Sequence, residues 1–163
     1  MIKKLDQDNS LYFQKNYPYL SKKSSTKPFQ ATLGIGGNMG DVRRRFNHLF
    51  IYLKHSPYLD IVETSPILKN PPFGYLEQDD FYNALLIVKT CLTPKALLRY
   101  ILHIEKKFGR KRSFPDAPRT LDIDMIFYEQ VEMKSKVLTL PHHGWKDRTS
   151  VLIPLDYLKS KIK

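Results

Sequence analysis

Asp122 and Asp124 stand one residue apart in the run Arg119-Thr120-Leu121-Asp122-Ile123-Asp124-Met125-Ile126-Phe127. After Pro118 this run alternates apolar with acidic and then turns wholly apolar, the pattern of a half-buried strand entering a core. Successive strand side chains point to opposite faces, so Leu121, Ile123 and Met125 share one face and the two carboxylates share the other. Like charges that close repel unless a cation or a cluster of donors neutralises them. Mg2+ is the natural partner, because it takes oxygen ligands and is usually held by one or two carboxylates plus substrate phosphates. Arg110, Lys111, Arg112 and Arg119 lie just upstream, and guanidinium forks suit phosphate oxygens. Spacing alone fits equally an edge strand whose acidic face pairs with neighbouring lysines.

Other elements must carry this pair. Phe29 to Ile35 reads as a short strand leaving through Gly34-Ile35-Gly36-Gly37-Asn38-Met39-Gly40-Asp41. The glycine spacing is wrong for a dinucleotide fingerprint, and no Walker lysine follows. Asp41 caps a helix whose apolar residues Val42, Phe46, Leu49, Phe50 and Leu53 recur every three or four, with the run Arg43-Arg44-Arg45 as a solvated face. Leu59 to Leu68 is the next strand, broken by Pro66, and residues 69 to 80 form a long polar loop. Phe81 to Val88 is a third strand with Phe81 and Asn83 on one face. A ring and an amide so placed could cover and edge-read a flat heterocycle, although a core aromatic beside a turn asparagine fits the same residues. Thr93-Pro94 opens a second helix, buried along Leu97, Ile101, Ile104 and Phe108 and ended by Gly109. Residues 110 to 119 are then a basic loop hinged by Pro115 and Pro118.

The chain has 163 residues, 42% of them hydrophobic, enough for one domain with a real core. Its net charge of +11 suits nucleic acid or a polyanionic small substrate such as ATP. Cys91 is the single cysteine, which excludes an intrachain disulfide and fits a cytoplasmic protein. No apolar run has the length of a spanning helix, and Met1 to Ser10 lacks a signal-peptide core. Residues 1–28 read as an extension, partly flexible, that the chemistry could do without. Its aromatics Tyr12, Phe13, Tyr17 and Tyr19 suggest that residues 11 to 20 pack on the domain or on a partner.

The signature Arg119-Thr120-Leu121-Asp122-Ile123-Asp124-Met125, with Gly109-Arg110 before it and Leu140-Pro141-His142 after it, resembles the 6-hydroxymethyl-7,8-dihydropterin pyrophosphokinases of folate biosynthesis. The resemblance runs from about Gln30 to about Leu158. It implies an α+β fold, a ferredoxin-like βαββαβ sandwich over residues 29–163 with additional C-terminal strands or turns. It also implies transfer of pyrophosphate from ATP to the pterin's hydroxymethyl oxygen, with AMP released. Asp122 and Asp124 would hold two Mg2+ ions, and Arg110 and Arg119 would be the catalytic arginines on the phosphates. Phe81 would stack on the pterin and Asn83 would bond its amide edge, beside Asn70, Pro71 and Phe73. Asn38 would tie the glycine turn to that pocket. Glu105, Arg112, His142, His143 and Arg148 match nucleotide-side positions.

The chain departs from the pattern in four places. Gly37 replaces the usual serine and Asn70 a common threonine, and the basic loop is one residue shorter, with Phe114 and Asp116 where a tryptophan is frequent. Ser150 stands where many relatives have a phenylalanine on the second pterin face. One-sided stacking costs about 0.5 to 1.5 kcal/mol unless Phe73 or Trp145 substitutes. A monomer with no nucleic-acid or membrane partner is the expectation. The alternative is a basic ferredoxin-like RNA-binding module, but the chain lacks the aromatic sheet motif of such modules, and its two acids would repel phosphate.

Overall fold

The computed structural model describes residues 1–110 and 114–160. Three short strands come first: β1 (Ile2–Lys4), β2 (Ser10–Tyr12) and β3 (Tyr19–Leu20). Leu11 in β2 and Tyr17 just before β3 are fully buried, and the Tyr17 hydroxyl donates to the Phe46 carbonyl at 2.8 Å. Residues 21–28 form no helix or strand, but Ser25 and Lys27 both bond the Asp60 carboxylate.

Next come β4 (Phe29–Gly37), α1 (Val42–Lys54), β5 (Leu59–Thr64), β6 (Ile67–Asn70) and β7 (Phe81–Thr90). After them lie α2 (Pro94–Lys107) and β8 (Asp122–Tyr128). The caps are those the sequence prescribes: Asp41 accepts from the Arg44 N–H and Thr93 from the Ala96 N–H. Gly109, at a φ of +84°, closes α2 in the left-handed region where a side chain is strained.

The sheet is antiparallel at every described pairing, with β4 between β7 and β8. Both β5 and β6 pair with β7, β5 along its C-terminal part and β6 against Phe81 to Asn83. Pro66 has no N–H to offer the ladder. Ser65 spans that break, its N–H donating to the Leu85 carbonyl while its hydroxyl accepts from the Leu85 N–H, each at 2.9 Å.

Strand β7 is buried continuously from Ala84 to Val88, as a strand covered on both faces must be. The larger core joins Leu33, Ile35, Ala84, Leu86, Ile123 and Met125 of the sheet to Phe46, Leu49, Leu97 and Ile101 of α1 and α2. A smaller one on the other face joins Leu85, Ile87 and Ile126 to Val151 and Leu158.

That second cover is a third helix, α3 (Thr149–Asp156), which follows a separate hairpin of β9 (Met133–Lys134) and β10 (Thr139–Leu140) and a 3-10 turn at Trp145–Asp147. The sequence reading allows only strands or turns there. The helix escapes it because Val151-Leu152-Ile153-Pro154-Leu155 has no polar stripe at helical spacing and contains a proline inside the element.

Candidate active site

The glycine turn after β4 brings three segments together. Gly37 lies so close to β8's entry that a Cβ there would sit 2.5 Å from the Thr120 carbonyl oxygen, which only glycine permits. Asn38, almost fully buried, accepts from the Arg119 N–H at 3.0 Å and donates to the Gln78 side chain and the Asp79 carbonyl. Its own N–H donates to the Arg119 carbonyl. It therefore ties the turn to the two flanking loops, and through Arg119 to the edge of the slot described below. The loops also touch directly: the Gln78 amide donates to the Asp116 carbonyl at 2.9 Å, and the Tyr75 and Phe114 rings meet edge to face.

Strand β8 alternates as its sequence requires, with Ile123 and Met125 buried and Asp122 and Asp124 both opening on the same cleft. Asp122 is held by two guanidinium groups, Arg110 at 2.6 Å and Arg119 at 3.0 Å. Among the described residues no hydrogen bond or ion pair reaches the Asp124 carboxylate. Burial, and then the charge of Asp122, push its pKa up to about 7, since both disfavour a second negative charge. Among the described residues no group of three or more acidic, histidine or cysteine side chains could hold a metal. Two carboxylates are nevertheless the protein share of a Mg2+ site completed by phosphate and water, and Asp124's oxygens, offset only in part by the Arg148 and Arg119 charges, suit that donor set.

The cleft on this side, about 500 Å3, is also lined by Arg110, Arg119, His142 and Arg148. Burial, then the Arg148 and His143 charges, lower the His142 pKa to about 4, so the ring is neutral at physiological pH. The Gly144 N–H donates to its Nδ1 at 3.2 Å, which leaves the ring proton on Nε2 as a donor. His143 is exposed and stacks on His142 with ring centres 4.8 Å apart, outside the lining. Glu105 also lies outside it. Its carboxylate is buried behind β8 and accepts from the Ile123 N–H at 2.7 Å, between the two aspartates. Arg112 falls outside the described residues.

On the other side, Phe81 and Asn83 open into a slot with Asn70, Pro71, Phe73 and Ser150, and Asp122, Asp124, Arg119 and Arg148 reach it as well. The Asn83 amide donates to Asn70 Oδ1 at 2.7 Å, which fixes its orientation. Its Oδ1 lies over Gly36, where an added Cβ would come within 2.6 Å. The Arg119 guanidinium carbon lies 5.2 Å from the centre of the Phe81 ring, so one side chain spans both halves of the cleft.

Comparisons of the sequence identify its relatives. A profile of the family "7,8-dihydro-6-hydroxymethylpterin-pyrophosphokinase (HPPK)" matches residues 32–160. The chain belongs to that pyrophosphokinase family. It is 43% identical to the 2-amino-4-hydroxy-6-hydroxymethyldihydropteridine pyrophosphokinase of Helicobacter pylori, over 85% of this chain and 86% of that one. It is 39% identical to the enzyme of the same name from Campylobacter jejuni, over 88% and 93%.

Within this pyrophosphokinase, the candidate aromatics for the second pterin face separate cleanly. Trp145 packs edge to face on Phe127, with centres 5.0 Å apart, and belongs to the smaller core. Phe73 lines the slot beside Ser150 and is 75% exposed. Arg45 is what the sequence reading missed in treating residues 43–45 as a solvated face. It is half-buried and donates to the Met39 and Thr120 carbonyls at 2.6 and 2.9 Å, bracing the turn against β8. Nothing in an arginine's spacing on a helix announces a backbone carbonyl across the fold.

Proposed function

We propose that this chain transfers pyrophosphate from ATP to 6-hydroxymethyl-7,8-dihydropterin, giving AMP and the pterin pyrophosphate, a step of folate biosynthesis. The single observation that carries this reading is the shared cleft: a ring-and-amide slot and a pair of strand carboxylates ringed by arginines open on the same space. The pterin would lie in the slot with Phe81 on one face, Phe73 approaching the other, and Asn83 reading its amide edge. The triphosphate would lie along Arg110, Arg119, Arg148 and the Nε2–H of His142.

Asp122 and Asp124 would hold Mg2+, two ions by the family resemblance. Bound there, the metal would neutralise phosphate oxygens and lower the pKa of the attacking hydroxyl. The hydroxymethyl oxygen attacks the β-phosphorus in line, its proton passing to solvent, and the bond to the α–β bridging oxygen breaks, so AMP leaves with that oxygen. The chain's main work is positioning and charge compensation. Arg110 and Arg119 exchange Asp122 for phosphate oxygens, and His142 donates to a nonbridging oxygen. Glu105 takes no nucleotide contact and fixes the backbone between the two aspartates.

The strand order β5-β7-β4-β8, with α1 and α2 packed on one face, supports a ferredoxin-like reading of residues 29–163. No described helix is long and apolar enough to cross a membrane. A cytoplasmic monomer is in keeping with one chain supplying every group named here. The test is AMP release from ATP in the presence and absence of the pterin and Mg2+, beside calorimetric titration of the pterin with a non-hydrolysable ATP analogue. AMP formed only when all three are present is expected. Pterin-independent release, or no release, would sink the reading.

A further inference from the structure

The family profile begins at residue 32, so β1 and β2 lie outside it, yet they sit against the pterin side of the cleft. Strand β2 pairs with β6 in the register Ser10↔Lys69, Leu11↔Leu68 and Tyr12↔Ile67. The other edge of β6 pairs with β7 as Leu68↔Asn83, Lys69↔Tyr82 and Asn70↔Phe81. The hairpin thus borders the short strand that delivers Asn70, and Asn70 orients the Asn83 amide.

Tyr12 adds a second grip. Its ring meets Tyr82 edge to face with centres 5.7 Å apart, while the Arg43 guanidinium lies 4.4 Å over its face. Tyr82 is the residue between Phe81 and Asn83. The turn of the hairpin is itself rigid, because Asp6 Oδ1 accepts from the Asp8 and Asn9 N–H groups at 2.8 Å each. Asp8 and Asn9 then face Pro71, Pro72 and Phe73 across a side cavity of about 300 Å3 that also shares Asn70, Arg148 and Ser150 with the slot.

We propose that the β1–β2 hairpin is a positioning element for pterin binding, acting through β6 and Tyr82 on Asn70, Phe81 and Asn83, with Tyr12 as its principal contact. Without it β6, a strand of four residues, becomes an edge strand paired only with β7. The inference rests on the pterin reading of the slot, and it contradicts the expectation that the chemistry could do without the extension.

The experiment measures KM for pterin, KM for ATP and kcat in the full chain and in three variants: Tyr12→Ala, Tyr12→Phe and Asp6→Ala. Tyr12→Ala should raise the pterin KM about fivefold and leave the ATP KM within about twofold, the scale of one misplaced hydrogen-bonding group. Tyr12→Phe keeps the ring and should behave as the parent. Asp6→Ala, at an exposed turn, should raise the ratio of pterin KM to ATP KM about twofold over the parent measured side by side, and an unchanged ratio overturns the proposal if Tyr12→Ala does not fold. An unchanged pterin KM in the folded variants, or equal rises in both KM values, would overturn the proposal. A parent that makes no pterin pyrophosphate would overturn the reading of the slot instead.

Discussion

The two halves of the cleft are built by different means. The half proposed for the pterin is fixed by backbone register: β6 against β7 sets Asn70 opposite Phe81, where its side chain reaches the Asn83 amide, Gly36 makes room for the Asn83 oxygen, and no ion pair is needed. The half proposed for the phosphates is assembled from charge, with Asp122 between two guanidinium groups and Asp124 only partly offset by the Arg148 and Arg119 charges. One half is shaped before its ligand arrives. The other holds opposite charges together, and on the proposed reading a polyanion and a cation would replace them.

That contrast is open to attack in order of effect. Asp124→Ala should lower kcat by roughly a thousandfold or more, the scale of removing charge stabilisation at a phosphoryl centre, with pterin affinity nearly unchanged in calorimetry. Loss of pterin affinity in that variant would mean that the halves are not separate. Arg119→Ala should cost about a hundredfold in kcat/KM for ATP. Because Arg119 also covers Phe81, it is the one substitution expected to disturb both ligands. Asn83→Ala should weaken pterin binding about tenfold and ATP binding little; equal weakening would take Asn83 out of the slot. Gly36→Ala, which pushes on the Asn83 oxygen, should have the same selectivity with a smaller loss.

The smallest effect is on stability. Asp124 keeps its proton in the folded chain up to about pH 7, whereas in the unfolded chain it loses it near pH 4. The folded state therefore binds more protons across that window, and stability falls as pH rises through it. His142 works the other way below pH 6.5, because its folded pKa is depressed. Thermal melts between pH 6.5 and 8 should isolate Asp124. The metal-free protein should lose stability over this interval, and Asp124→Asn should flatten the slope and gain on the order of 1 kcal/mol at pH 8. A slope unchanged by that substitution would place the titration elsewhere.

Much of this contrast can be read in the sequence. Alternation in residues 121 to 127 puts the two acids on one face, and the caps Asp41 and Thr93 mark both long helices, because these depend on neighbours a few residues away. Phe81 and Asn83 were legible as a pair on one strand face, but the Asn70 contact that holds the Asn83 amide and the room Gly36 leaves for its oxygen were not. Asn38, Arg45 and Glu105 do their work on the backbone of distant segments, and no local pattern encodes such contacts. α3 was missed because it is apolar on nearly every side, and Trp145 looked available until its ring was found against Phe127.

The pairing of Asp122 with Arg110 and Arg119 has a consequence for how the nucleotide is admitted. Each guanidinium that turns toward a phosphate leaves an acid behind, so anion entry alone would strand negative charge beside negative charge. Triphosphate and divalent ion should consequently enter as a unit, and adding salt should hinder the nucleotide far more than the heterocycle.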